Sequence, residues 1–488
     1  MRRNGRTPEE GDVPRDRVRA PVLAAWCAPG LPVAALGLPV VVYLPPHFAG
    51  TLGLPLATVG FLFALVRILD IPLDPLFGAL MDNTRSRIGQ FRPWVLAGGL
   101  LLALGVWPLF FAEPGVSAAA TFLALLVLYT GLSFVNLGQV AWGSRLSPDY
   151  GERARIFGVW TAVNVAGTLS ILFVPPALGL LWPGASGTDA IHAMGWYVIA
   201  LVPVCVLAAV LLVPEGKTPA PPRILRPAEL GRLLADRRML RLLAVDLLLA
   251  VAPGITGALF LFFFTAARGL TQGAASGLLL FYFVAGLLAA PFWIRIARRW
   301  GKHRATAFAA LWKGAAMLGV LAIPVEPLWI PALGMAAAGV PFAASAFLLR
   351  SMMADLVDAQ ALDRAEAGRP ETETSGLSYA ALTATAKLGY AIPVALTYPL
   401  LEALGFDPAP GAANGADAIR WLEALFVGLP LALCLLAAAL VWRWPITAER
   451  HADIRARLAA VRPDARPPAA PPAPAPAPAE ARGEAPAA

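Results

Sequence analysis

The chain has 488 residues, 58% hydrophobic and only 14% charged, with a net charge of +8. A soluble domain carries about 25% charged residues, so this composition excludes a water-soluble enzyme or binding module. It defines a membrane protein with many crossings. The positive charge does not mark a nucleic-acid partner, because Lys and Arg cluster in alternate loops, the positive-inside pattern of a membrane chain.

In chain order, segment 1–21 is too charged ahead of its apolar run for a signal peptide and reads as cytoplasmic. Apolar runs of about 20 residues then predict about twelve transmembrane helices. The first half holds spans 22–48, 56–80, 94–112, 117–141, 156–182 and 191–213. A basic, Pro-containing linker, 214–242, follows and is expected to lay a short helix on the membrane surface. The second half holds 243–267, 273–297, 304–324, 328–353, 374–405 and 420–443. The remainder, 444–488, is a cytoplasmic tail that turns Pro/Ala-rich from about Pro463.

The fold class is therefore all-α membrane, in six-helix units 22–213 and 243–443 that read as pseudo-repeats. Loops after even-numbered spans hold most of the Lys and Arg, which puts both termini in the cytoplasm. Cys27, Cys205 and Cys434 lie alone in apolar runs and read as small core residues. The four histidines (His47, His192, His303, His451) have no metal-ligand spacing.

One stretch departs from this apolar pattern. Phe61–Trp94 reads FLFALVRILDIPLDPLFGALMDNTRSRIGQFRPW. Arg67, Asp70 and Asp74 fall at i, i+3 and i+7, on one helix face. Charges inside an apolar span are expensive and face a protein interior or an aqueous cavity. Two carboxylates at i and i+4 repel, and a cation or shared proton relieves them. Pro72 and Pro75 each free a carbonyl beside the acids. Two six-span halves around a midplane ion site describe a secondary transporter. The competing bland account is a permanent ion pair, within this stretch with Arg67.

Three stretches then resemble one family: RILDIPLDPLFGALMDNTRSRIGQFRPW, WGSRLSPDYGERARIFG, and ADLVDAQALDR with SGLSYAALTATAKLGYAIP. They resemble the glycoside–pentoside–hexuronide:cation symporters, the melibiose permease family of the major facilitator superfamily. The resemblance implies a cation site at Asp70 and Asp74, joined by the hydroxyl of Ser133, with Lys387 and Arg67 in charge balance or coupling. Leu73 stands where the family often has a polar side chain, which weakens sodium coordination and favours a proton. The family's sugar-binding acids fall on Ala34 and Asn136, its arginine on Thr161 and a tryptophan on Val140. Asn136, Gln139, Trp142 and Asn164 remain as substrate-binding candidates. Asp82, Arg85 and Arg92 resemble the superfamily's loop signature. With Asp149, Arg153, Asp355 and Asp358 they form a candidate cytoplasmic gate that locks the halves together.

The resulting expectation is a symporter of a small organic solute, a glycoside, hexuronide or related sugar. It would sit in the inner membrane as a monomer among lipids, coupled to Na+ or H+, with no other cofactor or metal. The alternatives are a carrier of lysophospholipid-like amphiphiles and a non-transporting sensor. An enzyme is not supported, because no face gathers a nucleophile and base. Lys313 and Asp246 read as residues snorkelling near the interface. Trp26, Tyr43, Phe48, Trp182, Trp196 and Trp442 read as interface anchors.

Overall fold

The computed structural model of the protein describes residues 17–147, 149–215, 231, 235–368 and 375–461. Among these, eleven helices are long and apolar enough to cross a membrane, or twelve with one bent pair counted as a span. In the first half they are α1 (Ala20–Gly50), α2 (Leu56–Asn83), α3 (Arg92–Phe110), α4 (Ala118–Gly143), α5 (Tyr150–Leu172 continuing as Val174–Leu181) and α6 (Gly187–Leu212). The second half has α7 (Arg237–Ala267), α8 (Gln272–Leu288 with Ala290–Trp300), α9 (Lys302–Ala322), α10 (Trp329–Glu366), α11 (Ser375–Ala403) and α12 (Ala416–Trp442). A shorter helix, α13 (Ala448–Val461), closes the described chain.

Local sequence explains where these helices start and bend. Ser117 caps α4, Asp149 caps α5 and Thr271 caps α8, each side chain accepting a backbone N–H of the first turn. Ser186 and Asp189 form a reciprocal capping box on α6. The two halves of α8 meet at 45°, where Pro291 removes a backbone donor. By contrast α2 stays one continuous helix through Pro72 and Pro75.

We call the side holding the start of α1 and the end of α12 the terminal face. Helix α11 is the element shared by the halves. A side chain on Gly254 of α7 would meet the Gly389 carbonyl of α11 at 2.3 Å, and one on Gly60 of α2 would meet the Val394 carbonyl at 2.8 Å. Small residues thus let α7 and α2 approach α11 from its two sides. Near the far face, Gly50 packs on Pro408, and Gly257 of α7 faces Val41 and Val42 of α1.

Several expectations need correction. Helix α7 starts at Arg237, six residues early, and α10 runs on to Glu366 beyond the expected end at 353. That extension exists because α13 packs on it: Ile454 is buried, and His451 Nε2 lies 3.0 Å from Asp358 Oδ2 and 3.5 Å from Asp355 Oδ1. The tail is therefore helical at its start. Trp26, Tyr43 and Phe48 are core residues rather than interface anchors, all nearly solvent-free, whereas Trp182, Trp196 and Trp442 are exposed. Lys313 does not snorkel; it is buried about 17 Å along α9, too deep to reach the interface. Asp246 is held deep in α7 by the Thr385 hydroxyl of α11. The expected linker helix and the Pro/Ala segment lie mostly outside the described residues.

Candidate transport site

Helices α2, α4 and α11 bring together residues far apart in sequence. Lys387 Nζ donates to Asp70 Oδ2 and Asp74 Oδ2, each at 2.6 Å. On the other side, Ser133 Oγ lies 2.8 Å from Asp70 Oδ1 and 2.8 Å from Asp74 Oδ1. Asp70 is buried, and Asp74 and Lys387 are largely so. The one-face spacing of the two acids is what allows a single ammonium and a single hydroxyl to serve both.

The proton inventory of this cluster is informative. A serine hydroxyl has one hydrogen to give, yet Ser133 Oγ sits at hydrogen-bond distance from two carboxylate oxygens. One more proton, placed on either carboxyl and donated to Oγ, would complete the chain. The same three oxygens form one side of a shell for a small hard cation, but Leu73 adds no further oxygen.

Arg67 lies one turn toward the far face. Its Nη1 is 3.9 Å from Asp70 Oδ2. The guanidinium stacks 4.2 Å from the Tyr129 ring centroid and 5.5 Å from that of Tyr390. The two tyrosines were not foreseen, although Tyr129 is i−4 to Ser133 and Tyr390 is i+3 to Lys387, so helical spacing alone pointed to them. Two carboxylates face two cations, and their formal charges cancel.

The substrate candidates fare unequally. Gln139 is buried and donates to the Trp26 carbonyl at 2.7 Å; Trp142 is buried and donates to the Pro214 carbonyl at 3.2 Å. Both side chains are occupied in holding α4 to its neighbours. Asn164 is half-buried and donates to the Trp160 carbonyl of its own helix at 2.8 Å. Asn136, also half-buried, keeps its amide free of protein partners among the described residues.

Among the gate candidates, Asp82, Arg92, Asp149 and Asp355 find partners within their own half, and Asp358 meets His451 of α13. Asp82 lies 3.8 Å from Arg145, and Arg92 donates to the Val213 carbonyl at 2.7 Å. Asp149 accepts from Glu152 N at 2.6 Å. Lys302 Nζ sits 2.7 Å from Asp355, whose other neighbour is His451, and His451 also meets Asp358. Arg85 and Arg153 are exposed. The contacts described between halves instead run from the Lys387 layer to the far face.

An all-helical bundle of this length with a charge cluster buried between its halves defines a membrane transporter. Residues 26–448 match the family described as MFS/sugar transport protein, and the chain belongs to it. The Inner membrane symporter YicJ of Escherichia coli (strain K12) is 28% identical over 419 residues, covering 82% of this chain and 86% of YicJ. The Lactose permease of Lactobacillus helveticus is 33% identical over 150 residues, covering 29% of this chain and 23% of the permease. Among solved structures, the nucleoside transporter NupG superposes with a TM-score of 0.60 at 15% identity, covering 86% of this chain and 99% of NupG. That likeness concerns the fold.

Proposed function

We propose that this protein is a cation-coupled symporter of a glycoside, hexuronide or related sugar, working by alternating access. Its place is the cytoplasmic membrane, with both termini in the cytoplasm, as the loop charges indicate, and it works as a monomer surrounded by lipid. One observation carries the reading: Lys387, from the second half, bridges Asp70 and Asp74 of the first. A cation arriving at the two acids competes with that ammonium. Displacing it removes a bond between halves, and solute arriving in the same cleft bridges them instead.

The coupling ion is a proton in this reading. The support is the Ser133 hydroxyl, with one hydrogen for two carboxylate oxygens, together with Leu73 in place of an oxygen ligand. The relatives named for sugar transport favour a sugar over an amphiphile as cargo. On this reading the gate residues Asp82, Arg85, Arg92, Asp149, Arg153, Asp355 and Asp358 re-pair across the halves when the terminal face closes.

The test is uphill sugar accumulation in proteoliposomes under an imposed pH gradient or an imposed sodium gradient. Asp74→Asn is expected to abolish accumulation while leaving the protein folded. Normal accumulation by that variant overturns the site. Accumulation driven by sodium at constant pH overturns the proton and leaves the site standing.

A further inference from the structure

Of the substrate candidates in the first half, Gln139 and Trp142 are engaged elsewhere, and Asn136 and Asn164 offer neutral amides rather than a carboxylate. The second half supplies what is missing. Asp246 lies nine residues into α7, about 13 Å from its start. Its Oδ2 accepts the Thr385 hydroxyl of α11. Its Oδ1 has no donor among the described residues, and the residue is half-buried rather than sealed.

A carboxylate at this depth that is open on one side must open onto water or protein, because a lipid-facing carboxylate would be expensive. Thr385 and Lys387 are two positions apart on α11, about 200° around the helix. Lys387 is turned to α2, and Thr385 to α7. The opposite sides of α11 thus carry the cation cluster and Asp246.

Arg350 on α10 completes the arrangement. It is exposed, and its guanidinium has no hydrogen-bond or ion-pair partner among the described residues. Helix α10 packs against α7, and Arg350 forms no ion pair with Asp246 among the described residues. An acceptor on α7 and a donor on the neighbouring α10 are thus each left without a side-chain partner among these residues. Tyr379, 39% exposed on α11, adds an aromatic surface whose hydroxyl reaches the Arg350 carbonyl at 3.5 Å. A carboxylate accepts charge-assisted hydrogen bonds from neighbouring hydroxyls, and a guanidinium donates in a fixed fork. That is the complement of a vicinal diol.

We infer that Asp246, positioned by Thr385 and with Arg350 on the neighbouring α10, is the carboxylate that reads the hydroxyls of the transported solute. The inference rests on the symport reading and moves solute recognition to the second half. Helix α11 then touches both cargoes: cation through Lys387 and sugar through the residue that holds Asp246.

The experiment uses the full chain in lipid nanodiscs. Four probes are titrated: the 4-nitrophenyl β-glucoside, β-galactoside, β-xyloside and β-glucuronide. Separately, thermal stabilisation by sodium and by lowered pH is recorded. With the probe that binds best, Asp246→Asn is expected to raise Kd at least tenfold while keeping the cation response of the wild type. Asp74→Asn should show the reverse. Should Asp246→Asn not fold, Thr385→Val carries the test, with a smaller rise in Kd and the same intact cation response.

A Kd for Asp246→Asn or Thr385→Val within threefold of wild type overturns the inference and leaves the symporter reading untouched. Loss of the cation response together with the probe also overturns it, because Asp246 would then belong to the ion site. Binding of none of the four probes by wild type is a different failure. It removes the sugar reading itself, and this inference with it.

Discussion

Glu402 on α11 accepts a hydrogen bond from the backbone N–H of Ala57 at 2.6 Å. Ala57 lies in the first turn of α2, a helix that begins after Pro55 with no side-chain cap of its own. The cap comes from the other half of the protein, and its negative charge meets the positive end of the helix dipole. The two helices joined here at the far face are the same two joined by Lys387 and the aspartates at the midplane.

Glu402→Ala should therefore loosen the far face. Loss of a helix cap costs about 1 kcal/mol, or roughly a fivefold change in the ratio of far-face-open to far-face-closed molecules. Spin labels at Thr51 and Ala413, on the loops that meet there, should report a larger long-distance population. An unchanged distance distribution would show that the bond does not hold this face.

Lys387→Gln should destabilise the protein sharply. It leaves two buried carboxylates facing only Arg67, and breaking a buried ion cluster by removing one partner costs about 3–5 kcal/mol. The double variant Lys387→Gln with Asp74→Asn should recover most of that loss, since one charge of each sign is gone. Thermal midpoints of the two singles and the double give the coupling directly. Additive losses would mean that the 2.6 Å contacts contribute no net interaction.

Gly89→Ala should damage the α2–α3 loop. Gly89 has φ +125°, and a Cβ there would lie 1.7 Å from Glu215 Oε2. Glu215 occupies that space because its Oε1 accepts from Gln90 N at 2.8 Å and from Phe91 N, just ahead of the first turn of α3. Alanine must either strain the backbone or expel the carboxylate and leave those N–H groups bare. A lowered thermal midpoint and a proteolytic site near position 89 are expected; wild-type stability would show that the loop accommodates the methyl group.

Much of the architecture was readable because hydrophobic length is a one-dimensional signal. The spans expected at 56–80 and 117–141 appear as Leu56–Asn83 and Ala118–Gly143. The one-face spacing of Arg67, Asp70 and Asp74 was equally local. The surroundings of that face were harder. Tyr129 and Tyr390 flank Arg67 from two other helices, and their spacing to Ser133 and Lys387 carried meaning only once those helices were known to meet. Gln139 and Trp142 looked like free polar groups, but packing turned both toward backbone carbonyls.

Asp246 differs from its sequence expectation for a related reason. A lone acid early in a span resembles an interfacial residue unless the donor on another helix is seen, and Thr385 is 139 residues away. Helix α13 also has a local signal. Ile454 and Leu458 are one turn apart amid alternating charges, an amphipathic stripe short enough to be absorbed into the tail that follows it.

The balance of charge at the midplane has an electrical consequence. Arg67 and Lys387 offset Asp70 and Asp74, so on the symport reading this cluster carries no net charge when the unloaded carrier reorients. The membrane potential then does no work on the cluster during the return stroke. With one coupling cation aboard, the same movement carries a unit charge, worth about 2.3 kcal/mol per 100 mV. On that reading an energised membrane accelerates the loaded stroke and leaves the cluster's share of the empty stroke unchanged.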